Sequence, residues 1–237
     1  MGAVGTSSSS SGLVNSPTAE VDKYTVFKNN GANKWFANEN DSNMTEWIDS
    51  LSGGEQAAIS HYTGFGYTQM NKSLYNKPWD ELGDYDKHEL SNLYNALNRF
   101  DLKKGISVTR QADFQIFGMD KGDHMTVNQV KDFLKQTGGV LQNNGFLSFG
   151  ANEHGVAIAG SGLVIHLQVP PSKGAGAYVG TISEHKGEQE YLLNNNALMK
   201  FDPNSVKSVG GKIHVTAQWI GQAKMQTIDP KNKSVKK

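Results

Sequence analysis

Two glutamates, Glu188 and Glu190, stand two residues apart where a polar, glycine-containing segment beginning at Gly180 runs into the apolar stretch Tyr191 to Leu193. Alternate residues of a strand share a face, so the two are expected to open one strand and project side by side into one space. Carboxylates held that way repel each other unless a cation comes between them. The chemistry they offer is therefore stabilisation of positive charge and movement of a proton. Taken alone, a Glu-x-Glu pair more commonly marks an edge strand guarded by solvated charges.

Other chemistries find less support. The chain of 237 residues carries 23 Lys+Arg and 23 Asp+Glu, so no bulk charge draws it to nucleic acid or to anionic lipid. It has no cysteine, which removes disulfides, thiolate metal clusters and a cysteine nucleophile. Its seven histidines include no His-x-x-x-His or His-Glu-x-x-His pair, and Asp120 to Asp123 lacks the ligand spacing of a calcium loop, so no metal is expected. The glycines between Gly150 and Gly162 lack the Gly-x-Gly-x-x-Gly pattern of a dinucleotide-binding βαβ unit. No apolar run is long enough to span a membrane, and no basic segment followed by an apolar one opens the sequence, so a soluble chain without a secretory leader is expected. Met1 to Thr6 fits the N-myristoylation template at Gly2, although the serine run from Ser7 to Ser11 reads more readily as a flexible tail.

The elements that must position the glutamates change character once along the chain. From about 41 to 100 the apolar spacing is helical, with stripes at Met44, Trp47, Ile48 and Leu51, at Ala57, Ala58, Ser60 and His61, and at Leu90, Leu93, Tyr94 and Leu97. Ser52 to Glu55 has capping-box spacing, and Asp86 to Glu89 offers an acidic start to a further helix. From Gly105 the signals become short and extended: Ile106 to Thr109, Phe146 to Phe149, Leu163 to Leu167, Glu190 to Leu193 and Lys212 to Trp219. One helix interrupts them at about Thr126 to Gln136, with Val130, Phe133 and Leu134 on its apolar face. A helical block followed by spaced strands predicts an α+β fold, its helical half packed on two small mixed or antiparallel sheets. The expected layout is a disordered tail at 1–20, a catalytic domain at 21–222 and a basic flexible tail at 223–237.

Three separated motifs then resemble, in the family order, the arginine-serine-glutamate class of mono-ADP-ribosyltransferases found in clostridial binary toxins and insecticidal toxins. They are the strand Ile106 to Thr109 ending in Arg110, the segment Gly145 to Gly150 with Ser148, and the turn Gly187 leading to Glu188 and Glu190. The resemblance implies that ADP-ribose passes from NAD, as co-substrate and without a metal, to an arginine of a host protein in a target-cell cytoplasm. A separate delivery partner is compatible with it.

The same resemblance implies the roles. Glu190 stabilises the oxocarbenium-like cation formed as nicotinamide leaves, and Ser148 orients it. Arg110, with Gln111 beside it, holds the dinucleotide, the guanidinium matching a pyrophosphate bidentately. Tyr62, Tyr67 and Asn71, before the arginine strand, add contacts near NAD. Glu188 serves the incoming guanidinium, since members with glutamate there typically modify arginine and those with glutamine modify asparagine. His185 stands at the position used to touch the target protein. Two departures from the family pattern are present: Ser148-Phe149-Gly150 keeps only the first hydroxyl of a Ser-Thr-Ser segment, and 151–163 contains no Lys or Arg where the family has an arginine. Alternatives are an NAD glycohydrolase, with water as acceptor, and a weakened toxin-like or virion-associated structural module.

Overall fold

The computed structural model describes residues 23–28, 31–38, 44–152, 154–156 and 161–223. The segment 1–20, its Gly2 acylation template, and residues 224–237 of the basic C-terminal segment lie outside the described residues.

The helices are α1 (Gly31–Asn38), α2 (Met44–Asp49), α3 (Gly53–His61), α4 (Tyr67–Asn76), α5 (Asp84–Arg99) and α6 (Val127–Gln136), with a π-helical turn, Tyr62–Gly66, joining α3 to α4. Both capping boxes form: the Ser52 hydroxyl accepts the Glu55 N–H and the Glu55 carboxylate accepts the Ser52 N–H, and Thr126 and Gln129 do the same for α6. Helix α5 begins at Asp84 behind Gly83, two residues earlier than the acidic run suggests and without a side-chain cap. The stripe expected on α3 is corrected. Ala57 and His61 are exposed, and the core face is Glu55, Ala58, Ile59 and then Tyr62. What turns α3 is Glu55, a buried carboxylate forked to Arg99 of α5 at 2.6 and 2.8 Å. Arg99 holds the Glu55 carboxyl below its ordinary range against the opposing effect of burial.

The strands are β1 (Thr25–Val26), β2 (Asp101–Leu102), β3 (Ile106–Ala112), β4 (Val140–Asn143), β5 (Leu147–Gly150), β6 (Leu163–Val169), β7 (Ser172–Lys173), β8 (Gly176–Tyr178), β9 (Glu190–Leu193), β10 (Ala197–Phe201), β11 (Lys207–Val209) and β12 (Lys212–Gln222). The α+β organisation is as expected. The strands divide unevenly, into one mixed sheet in the order β4-β10-β12-β6-β3-β5-β9-β8, with β1 against β3 and β11 against β12, and a small β2-β7 pair. The parallel pairings are β1 with β3 and β6 with β12. One apolar cluster joins helices to sheet, with Phe36 stacked on Tyr178 at 4.1 Å and Trp47 edge-on to Phe100 at 5.1 Å.

Strand β3 is the axis of the site. It continues to Ala112 because its whole length pairs with β6, so Arg110 lies within the strand rather than at its end. Alternation places Arg110 on the face of Ile106 and Val108, toward the core, and Thr109 and Gln111 on the other. On that other face the His166 Nδ1 meets the Thr109 hydroxyl at 3.3 Å, and the His166 Nε2 lies 2.9 Å from His214 Nδ1. Burial first, then the neighbouring positive charges, hold both imidazoles below their ordinary pKa. A histidine with a depressed folded-state pKa binds its proton sooner in the unfolded chain. This pair should therefore cost stability as the pH falls below about 6.5. Thermal melts between pH 7 and pH 5 should show a shallower loss of Tm for the variant carrying His166→Gln and His214→Gln than for the parent. Parallel slopes would show that the pair does not set this dependence.

Candidate active site

The sheet order sets β3, β5 and β9 side by side, with Thr109 opposite Gly150 and Gly150 opposite Glu190. Three residues separated by 38 and 42 positions, Arg110, Ser148 and Glu190, are thereby gathered on adjacent strands. Arg110 donates from Nη1 to the Ser148 carbonyl at 2.7 Å. Burial lowers the guanidinium from its usual value, and it stays charged because that value is so high.

Glu190 is only 2 % exposed. Its carboxylate accepts a long hydrogen bond, 3.5 Å, from the Ser183 hydroxyl, and the Ser148 hydroxyl is near enough to favour its charged form. Desolvation pushes its pKa up, the Glu188 charge adds to that, and the two hydroxyls and Arg110 oppose it. The net direction is upward, so the ionised form sits in a site that binds it poorly in the absence of a cation.

The expectation that Glu188 and Glu190 share a strand is corrected. Glu188 closes a 3₁₀ turn, Lys186–Glu188, Gln189 is left-handed at φ 48° and ψ 52°, and only Glu190 enters β9. Gln189 causes this. Its buried side chain accepts the Ala32 N–H at 3.2 Å, which fixes the left-handed residue in place, while its carbonyl accepts the Ala151 N–H at 2.9 Å and so continues the β5–β9 register by one pair. Glu188 is exposed, yet close enough for its charge to act on Glu190. The result is one buried and one exposed carboxylate, an arrangement that separates their chemistry more sharply than two equal neighbours would.

The aromatic contributors divide. The buried Tyr62 hydroxyl donates to the Phe146 carbonyl at 3.0 Å. The Asn71 amide brackets the same residue, donating to its carbonyl at 3.1 Å and accepting its N–H at 2.8 Å. Both clamp the helical half to the approach of β5, and Tyr62 is near enough for its charge state to be coupled to Arg110 and Glu190. Gly145 is required in this clamp, because a Cβ there would meet the Asn71 amide oxygen and the Tyr75 hydroxyl at 2.5 and 2.6 Å. Tyr67 stands 53 % exposed and edge-on to Tyr62, its ring open to a ligand.

Gln111 is not brought to this group. It lies on the far face of β3, where its amide donates to the His154 carbonyl and its oxygen accepts from Ser161 at 3.0 Å and Lys212 at 2.6 Å. A shallow cavity of about 420 Å³ lined by His166, Lys207 and His214 is also on that face and outside the site. His185 is exposed on the loop before Glu188, its N–H donating to Ser183 Oγ at 3.0 Å.

Of the two departures from the family pattern, the Ser-Thr-Ser one acquires a local reason. Phe149 is wholly buried, and a Cβ on Gly150 would strike the Gly155 backbone at 2.8 Å, so the last two positions serve packing and loop approach. For the missing arginine the described residues offer no stand-in: Lys212 of β12 reaches Ser161 at the end of that loop, but on the far face of β3 beside Gln111. Residues that sequence reasoning passed over include Ser183, which touches Glu190, and Asn152, whose amide donates to the Glu188 carbonyl at 2.9 Å. Neither has a spacing signal that would single it out. Among the described residues no group of three or more His, Asp or Glu side chains is arranged to hold a metal, and no helix is long and apolar enough to cross a membrane.

Comparison with known proteins meets this geometry. The profile of the ADP-ribosyltransferase exoenzyme family matches residues 32–223. The NAD(+)–arginine ADP-ribosyltransferase EFV of Enterococcus faecalis is 29% identical over 157 residues, 64% of this chain. The match spans only 29% of that relative's length. Among solved structures, the ADP-ribosyltransferase toxin Plx2a of Paenibacillus larvae superposes with a TM-score of 0.66 at 24% identity, covering 80% of this chain and 95% of its own. An ADP-ribosyltransferase of Clostridium botulinum gives 0.67 at 20% identity, covering 84% and 99%. A similar protein of S. aureus, solved with NAD, gives 0.63 at 18% identity, covering 84% and 100%. The fold, and the family profile spanning nearly all the described residues, place the chain in the ADP-ribosyltransferase exoenzyme family, NAD-dependent enzymes that transfer ADP-ribose to protein.

Proposed function

We propose that the chain transfers ADP-ribose from NAD to an arginine side chain of a target-cell protein and releases nicotinamide. The observation that carries this is the split pair: a buried Glu190, with the Ser148 and Ser183 hydroxyls beside it, next to an exposed Glu188 whose charge acts on it. The arginine-directed activity in the name of the E. faecalis relative and the NAD-bound S. aureus neighbour support the acceptor and the co-substrate.

The bond between the ribose C1′ and the nicotinamide nitrogen breaks with its electron pair leaving on nicotinamide. Positive charge develops on the ribose ring. The Glu190 carboxylate stands where charge of the opposite sign appears, so the unfavourable desolvation of its charged form is relieved as the transition state forms. Arg110 holds the pyrophosphate with N–H groups not used on the Ser148 carbonyl. A guanidinium nitrogen of the acceptor then bonds to C1′, and the proton it sheds passes to Glu188, which is exposed and therefore reachable by a protein. Tyr67 supplies an open ring for NAD to stack against. Water can take the acceptor's place at C1′, so hydrolysis of NAD is the side reaction to expect when no acceptor is present.

Labelled NAD mixed with a eukaryotic lysate should yield modified proteins whose peptides, sequenced by mass spectrometry, carry ADP-ribose on arginine. Modification confined to asparagine, serine or another residue would overturn the acceptor assignment. Arg110→Lys keeps the charge and loses the planar fork, so calorimetry should record NAD binding weakened by about 1–3 kcal/mol. Unchanged affinity with a lowered Tm would make Arg110 a structural residue instead.

A further inference from the structure

We propose that Phe65, on the π-helical turn, is a docking anchor for the acceptor protein, fixing a class of acceptor whose modified arginine lies beside an apolar surface patch. This rests on the arginine-transfer reading above and adds a specificity residue to it. Phe65 is 92 % exposed, the most exposed large apolar side chain among the described residues. Its backbone is not loose. Tyr62, Thr63 and Gly66 of the same turn are buried, and Gly66 approaches the His61 ring so closely that a Cβ would meet it at 2.6 Å. A π-turn inserts an extra residue into the helical repeat, and here the fixed turn presents Phe65 to solvent. Among the described residues Phe65 is packed into no part of the apolar cluster.

The turn is joined to the loop that carries Glu188. The Ser60 hydroxyl donates to the Glu184 carboxylate, and the Glu184 N–H donates to the Thr63 hydroxyl at 3.1 Å. A Cβ built on Gly64 would sit 3.5 Å from Glu184 Cγ, ordinary van der Waals contact. Four residues of fully extended chain from Glu184 to Glu188 span at most about 14 Å, and the 3₁₀ turn at Lys186–Glu188 shortens this. A protein interface of ordinary size covers about 800 Å² on each partner, a disc of roughly 16 Å radius. The footprint of a folded protein that delivers an arginine to Glu188 is of the same scale as this joined turn and loop and extends over it toward Phe65. A rigid exposed aromatic within such a footprint is the kind of residue that supplies a binding hot spot, since it loses little side-chain entropy on burial. Free arginine or agmatine is too small to reach it.

The test compares Phe65→Ala and Phe65→Trp with the parent using labelled NAD, agmatine, and a eukaryotic lysate offered native or heat-unfolded. The alanine variant should release nicotinamide and modify agmatine within about twofold of the parent, while labelling of native proteins drops about tenfold or more through KM. The tryptophan variant should retain labelling, and the parent's preference for native over unfolded acceptors should vanish in the alanine variant. Undiminished protein labelling by Phe65→Ala, or equal loss toward agmatine and protein, would overturn the proposal. If the parent itself modifies neither agmatine nor protein, the arginine-transfer reading fails, a result distinct from failure of Phe65 alone.

Discussion

Glu190→Gln is expected to lower kcat for nicotinamide release by about 10²–10³ while changing NAD affinity far less, because the amide keeps the shape and removes the charge that meets the oxocarbenium-like ion. The same substitution should raise Tm. A carboxyl whose folded-state pKa lies above its unfolded value loses stability as the pH rises through that window and carries the penalty at neutral pH, and Glu190 is shifted upward by burial. A neutral isostere removes the penalty. Near-normal turnover, or a lower Tm with an intact fold, would contradict the assignment of Glu190 as a charge held ready for the transition state. This opposition of activity and stability follows from one fact, the placement of an acid among Ser148, Ser183 and a desolvating core.

The parts of this site that were legible in the sequence are those whose chemistry is local. Arg110, Ser148 and Glu190 each mark a strand of recognisable composition, and their order along the chain carried a resemblance that their spacing alone could not. The sheet order that joins them is set by long-range pairing, which leaves no trace in a single stretch of sequence. Gln111 was misplaced because a strand alternates, and being next to Arg110 means facing the opposite way. Gln189 hid the turn between the glutamates, since period-two spacing fits a strand and a left-handed turn equally well until the buried partners of its side chain are known. The π-turn was illegible for a related reason: Tyr62 to Gly66 has the residues of a loop, yet it is helical, with Tyr62, Thr63 and Gly66 buried. The stripe on α3 was rotated by Glu55, a charge that apolar periodicity assigns to solvent and that Arg99 allows inside.

Glu188→Ala should separate two activities that the parent performs together. Arg110, Ser148 and Glu190 remain to bind NAD and expel nicotinamide, and what is lost is the exposed carboxylate that aligns a guanidinium and takes its proton. Labelling of protein and of agmatine should fall about 10²-fold or more, with nicotinamide release into water within a few-fold of the parent. Glu188 is exposed and its side chain is not part of the core, so little change in Tm is expected. Equal loss of both activities would assign Glu188 to NAD cleavage itself, and loss of neither would return it to the role of a solvated charge.

The central claim is that one site both cleaves NAD and passes ADP-ribose to a guanidinium. It is tested most directly by incubating the purified protein with NAD and agmatine and following nicotinamide, free ADP-ribose and ADP-ribosyl-agmatine together by mass spectrometry. ADP-ribosyl-agmatine should form in step with nicotinamide, and free ADP-ribose should dominate only when agmatine is withheld. Release of nicotinamide with free ADP-ribose alone, whatever the agmatine concentration, would contradict the claim and leave a glycohydrolase in its place.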